Sequence, residues 1–198
     1  MRYFARTLSI LLHPLLIPLY ILCFLFHGDT LFSCVPQVTK HYAYLVTASS
    51  MLLMPLLSLP VFYYFGLIQD YRLERKQERV CPILVVVIFT FGGFWLMGML
   101  PYAHIVRQLY LVLIVLLSAF SIITLCWKMS MHMTAIGGFC GLLLVFALKY
   151  GVNVRTELMC LLLLSGLLGS CRLYLGKHTP MQVYAGFFFG LYFVYWIF

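Results

Sequence analysis

The side chains able to carry out chemistry gather in three stretches, and each sets cations or histidines where an anion could be held. The first, Gln69 to Pro82, is the only charge-dense part of the chain. Wound as a helix it aligns Arg72, Arg75, Lys76 and Arg79 on one face and turns Glu74 and Glu78 elsewhere, since residues three, four and seven apart share a face. Such a stripe suits phosphate oxygens, although a solvated loop with internal ion pairs accounts for the same residues. The second, Lys128 to Thr134, places Ser130 and His132 at the entry to an apolar run, where Ser130 could equally serve as a helix N-cap. The third, Ser170 to Gln182, brings Arg172, Lys177 and His178 directly before a helix start marked by Thr179, Pro180 and Gln182. Thr179 reads as the N-cap, Pro180 as the first helical residue, and Gln182 as the partner in a Thr-x-x-Gln capping box. A helix start offers free N–H groups and positive dipole, so an anion could sit beside His178. A capped helix with basic interfacial anchors is the plainer alternative.

The elements that must position these groups are membrane helices. Hydrophobic residues make up 64% of 198 positions and charged residues 9%, with a mean hydropathy of +1.03, whereas soluble domains are about a quarter charged. A bilayer core needs about 20 apolar residues per helix. The expectation is therefore an all-α, polytopic transmembrane bundle of six or seven spans, forming a single domain over 1–198. The apolar runs place those spans near 8–26, 42–66, 82–100, 106–127, 131–149, 156–171 and 181–197, the sixth being short. Pro14 and Pro18 interrupt the first run, which imitates a secretory signal but lacks a small-residue cleavage site and so reads as an uncleaved span. Pro55 and Pro60 should kink the second.

A formal charge of +8 would suit nucleic acid, but the cations stand singly or in one small cluster at span boundaries, where lipid headgroups attract them. Membrane lipids are the expected partners and nucleic acid is not. Seven cysteines follow no metal-ligand spacing and mostly fall in apolar runs, so neither disulfides nor a metal site is expected. With seven spans, nine of the 13 Lys and Arg residues fall on the side of the three polar stretches, which the positive-inside rule would call cytoplasmic. A phosphate site would retain the same cations, so charge alone does not fix the orientation, and nothing in the sequence sets an oligomeric state. Gly137 with Gly141, Gly166 with Ser170, and Gly186 with Gly190 are small-xxx-small pairs that let membrane helices approach closely. They predict that the helices carrying the second and third stretches are pinned together.

Taken together the stretches resemble the three-part signature of the type 2 phosphatidic acid phosphatase superfamily, Lys-x6-Arg-Pro, Pro-Ser-Gly-His and Ser-Arg-x5-His-x3-Asp. Arg172, five residues and His178 reproduce the core of the third part, with Cys171 in place of its Ser. Ser130 and His132 keep the relation of the second, with Met129 and Met131 for its Pro and Gly. Arg72 and Arg79 keep the spacing of the first with Arg for Lys, the proline being displaced to Pro82. The resemblance implies a membrane lipid phosphatase that needs no cofactor or metal and acts on a lipid phosphate such as phosphatidic acid, a polyprenyl pyrophosphate or a glycolipid. It implies that His178 is the nucleophile forming a phosphohistidine and that His132 protonates the leaving oxygen. Arg72, Arg79 and Arg172, with Ser130 and the neighbouring Lys76, would hold the phosphate.

The chain departs from the family at Gln182, which stands where the signature has Asp. An amide can accept the hydrogen bond that orients the histidine but lends no charge, and the analogous loss in a serine-protease triad costs about 10⁴ in rate. It also departs in topology, with two spans between the first and second stretches where the family has chiefly loop. The competing expectation is a relative that binds lipid phosphate or a membrane partner without turning it over. A polytopic prenyltransferase would need paired Asp-rich magnesium motifs, and the chain has only five acidic residues. A small transporter would need charge inside its spans, where these have almost none.

Overall fold

The structure, a computed structural model, describes the backbone of residues 1–69 and 76–198 and the side chains of 1–69 and 81–198. Every described element is helical: α1 (Arg2–Leu11), α2 (Ile17–His27), a 3₁₀ turn (Leu31–Cys34), α3 (Gln37–Thr47), a π-helical turn (Ala48–Leu53), α4 (Met54–Tyr64), α5 (Lys76–Met97), α6 (His104–Cys126), α7 (Met131–Tyr150), α8 (Arg155–Tyr174) and α9 (Pro180–Ile197). Four described stretches are long and apolar enough to cross a membrane: Gln37–Tyr64, His104–Cys126, Met131–Tyr150 and Arg155–Tyr174. Ile17–His27 and Cys81–Met97 are apolar but shorter. Two helices, α5 and α6, separate the first polar stretch from the second, as the apolar pattern predicts.

The expected first span over 8–26 is instead two helices, α1 and α2, with a break over 12–16. Pro14 causes it, because proline removes a backbone donor and pushes the preceding residue, His13, away from helical dihedrals. In the second span the prolines act differently. The helix continues past Pro55 and Pro60 but winds wider just before Pro55, in the Ala48–Leu53 π turn, which spares the carbonyl that the ring would strike. The sixth span is longer than expected, running to Tyr174 and so carrying Arg172 in its last turn.

The chain divides into two compact units, Met1–Ser33 with Met129–Phe198, and Cys34–Lys128. In the second unit a buried Tyr110 hydroxyl lies 2.9 Å from Thr47 Oγ1 and 3.2 Å from Ser50 Oγ. Gly93 makes room for that ring, since a Cβ there would strike it. In the same unit the Arg107 guanidinium sits over the Phe94 ring, 4.6 Å from its centre.

The first unit is built around α7 packed on α9. Two of the expected glycine pairs form this contact. A Cβ at Gly137 would collide with the Phe187 carbonyl, one at Gly141 with the Leu191 carbonyl, and one at Gly190 with the Thr134 carbonyl. At Gly186 it would come within 2.8 Å of the Ser130 carbonyl, so the start of α7 is held against α9. The third pair behaves otherwise: a Cβ at Gly166 would meet no other part of the described residues within 4 Å, and Ser170 is exposed. On α8 it is Gly169 that packs, against Val183 and Met133.

Candidate functional site

The third polar stretch is shaped by two helix caps in succession. At the end of α8, Gly176 adopts the left-handed conformation at φ 64°, which costs glycine little. The Gly176 N–H donates to the Leu173 carbonyl at 2.9 Å and the Lys177 N–H to the Arg172 carbonyl at 3.2 Å. That pair of bonds is a Schellman motif. The motif folds the Lys177 backbone onto that of Arg172, one residue before His178. Thr179 then caps α9, with the expected capping box to Gln182 formed on both sides.

Gln182 does more than cap. Its Oε1 accepts the Thr179 N–H at 3.2 Å and also lies 3.2 Å from His178 Nδ1. A backbone N–H can only donate, so the Gln182 atom it meets is the oxygen, and His178 Nδ1 must donate to that oxygen in turn. The neutral His178 ring therefore carries its proton on Nδ1 and its lone pair on Nε2. The Gln182 backbone carbonyl accepts the Ser130 N–H at 3.3 Å, which ties the second stretch to the third.

Ser130 holds the N-cap position of α7, yet its side chain makes no capping bond. The residue is fully buried, and its Oγ has no hydrogen-bond partner among the described residues. A buried hydroxyl left unmet costs about 1–3 kcal/mol, and a ligand oxygen beside it would recover that energy. Two residues on, His132 Nε2 meets the Ser9 carbonyl at 3.1 Å. A carbonyl accepts only, so Nε2 is the donor and Nδ1 is the nitrogen that gains and loses a proton.

Arg172, His13 and His178 all stand within electrostatic reach of the His132 ring. Of the residues singled out from sequence, His132, Arg172, His178, Ser130 and Gln182 thus meet at one end of the first unit. All but Ser130 are partly exposed. Arg72 lies outside the described residues, as do the side chains of Lys76 and Arg79. Among the described residues, no three His, Cys, Asp or Glu side chains are grouped to hold a metal ion.

His13 is the site residue that sequence reasoning missed. Its ring meets His132 edge to face, with centroids 5.4 Å apart and planes at 84°. Burial, and then the Arg172 charge, lower its pKa from 6.5. A signal is present, since an imidazole inside an apolar run is a functional suspect, but the apolar pattern reads as one span interrupted only by Pro14 and Pro18. The chain matches no protein-family model, no curated protein and no solved structure.

Proposed function

We propose that the chain is a multi-pass phosphatase of the cell membrane, resembling the type 2 phosphatidic acid phosphatases and hydrolysing a lipid phosphate or diphosphate through a phosphohistidine. In this reading α2, α5 and α9 cross the bilayer with the four longer stretches, giving seven spans, the upper of the two numbers expected from sequence. The observation that carries it is that Arg172 and His178 stand within electrostatic reach of the His132 ring, two residues on from the buried, unmet Ser130 hydroxyl, with His178 held in the tautomer that leaves its lone pair on Nε2.

His178 Nε2 attacks phosphorus while its Nδ1–H stays on Gln182. Arg172 and Ser130 hold the phosphate oxygens, matching charge that spreads over them in the transition state. His132 takes a proton onto Nδ1 from the singly protonated phosphate as it binds and gives it to the leaving oxygen, its other nitrogen being fixed by Ser9. Water then attacks the phosphohistidine, His132 takes the water's proton, and the electron pair of the broken P–N bond returns to His178. Purified protein should release phosphate from a lipid phosphate in detergent micelles, and His178→Ala should abolish release. Equal activity in the variant would refute the assignment.

Gln182 favours a second reading, a relative that binds lipid phosphate and turns it over weakly or not at all. Its amide orients His178 but supplies no negative charge to the imidazolium formed on attack. Gln182→Asp separates the two. A large gain over a very slow wild type supports the degenerate binder, whereas a brisk wild type that gains nothing supports the enzyme.

A further inference from the structure

His13 lies outside the three-part signature, yet it touches the residue to which the phosphatase reading gives the leaving-group proton. Its Nδ1 accepts the Leu15 N–H at 3.3 Å, so the neutral ring carries its proton on Nε2 and offers a donor there. The ring packs edge to face with His132 at 5.4 Å, is partly exposed, and lies within reach of the Arg172 charge. A lipid monophosphate loses an alcohol, whose single leaving oxygen is served by His132. A second donor next to it would then face glycerol or hydrocarbon, with nothing to accept from it. A lipid diphosphate instead loses a phosphate, whose other oxygens need donors beside the acid.

We infer that His13 is a specificity-determining residue that donates its Nε2–H to the leaving phosphate of a lipid diphosphate, making diphosphates the preferred substrates. The inference rests on the phosphatase reading. His178 Nε2 forms the bond to the terminal phosphorus, and the bond from that phosphorus to the bridging oxygen breaks with its electron pair on the oxygen. His132 protonates that oxygen, and the lipid monophosphate departs from His13 and Arg172. Water then splits the phosphohistidine to inorganic phosphate.

Dodecyl diphosphate and dodecyl phosphate share a tail and differ only in the leaving group, so their kcat/KM values isolate it. The wild type should favour the diphosphate. His13→Phe keeps a ring against His132 and removes the donor. It should lower kcat/KM for the diphosphate on the order of 10–100-fold and for the monophosphate by less than about threefold, the range for one hydrogen bond to a charged group. His13→Gln, which restores an N–H, should recover part of the loss, and His13→Ala removes the donor by a second route if the Phe variant does not fold. Equal losses on both compounds, or no loss on either, would overturn the inference while leaving the phosphatase reading standing. A wild type that cleaves neither compound would overturn both.

Discussion

At the scale of single residues, the two histidines of the proposed reaction are oriented by groups that admit one tautomer each. Gln182 can only accept from His178 because the Thr179 N–H fixes which end of the amide faces it. The Ser9 carbonyl does the same for His132 Nε2. Ser130→Ala should weaken phosphate binding with little loss of stability, because the hydroxyl meets no hydrogen-bond partner among the described residues; inhibition by inorganic phosphate measures this, and a loss of roughly tenfold is expected. His13 supplies the pH dependence. Its pKa is lowered from 6.5 in the folded protein, so between that lowered value and 6.5 the unfolded chain binds more protons, and stability falls as pH drops below 6.5. Thermal unfolding in detergent at pH 7.5 and 5.5 should show the wild type losing more on acidification than His13→Phe.

At the scale of elements, much of the architecture is legible in the chain. The Thr179-Pro180-x-Gln182 start of α9 and the glycine faces of α7 and α9 follow from local chemistry that acts over three or four residues. What escapes is set by longer-range or subtler geometry. The Schellman turn depends on the φ of Gly176, a residue flanked by nothing that marks it. The break at Pro14 and the continuity past Pro55 involve the same residue type. Which outcome occurs depends on whether the chain can widen locally, as it does over Ala48–Leu53. The pair Gly166 and Ser170 has the right spacing on the wrong face of α8. Two substitutions test this account. Gly190→Ala should cost about 1–3 kcal/mol by driving a Cβ into the Thr134 carbonyl, and Gly166→Ala should cost nothing, both read from melting in detergent. Gly176→Ala should cost about 1–2 kcal/mol through its left-handed backbone and reduce turnover as His178 shifts.

At the scale of the whole molecule, the proposed site belongs to the unit made of Met1–Ser33 and Met129–Phe198. Its histidines come from both ends of the chain: His13 from the break after α1, His132 and His178 from the starts of α7 and α9. No pattern within a single stretch reveals that meeting: His13 stands out in its apolar run, but nothing there ties it to His132 or His178. The claim on which everything turns is that His178 becomes covalently phosphorylated. Rapid quenching of the protein with lipid diphosphate labelled in its terminal phosphate tests it directly. The account predicts an acid-labile, base-stable phosphohistidine that maps to His178, reaches its full level before steady-state release, and is absent from His178→Ala. Turnover without labelled protein, or with the label on another residue, would contradict it.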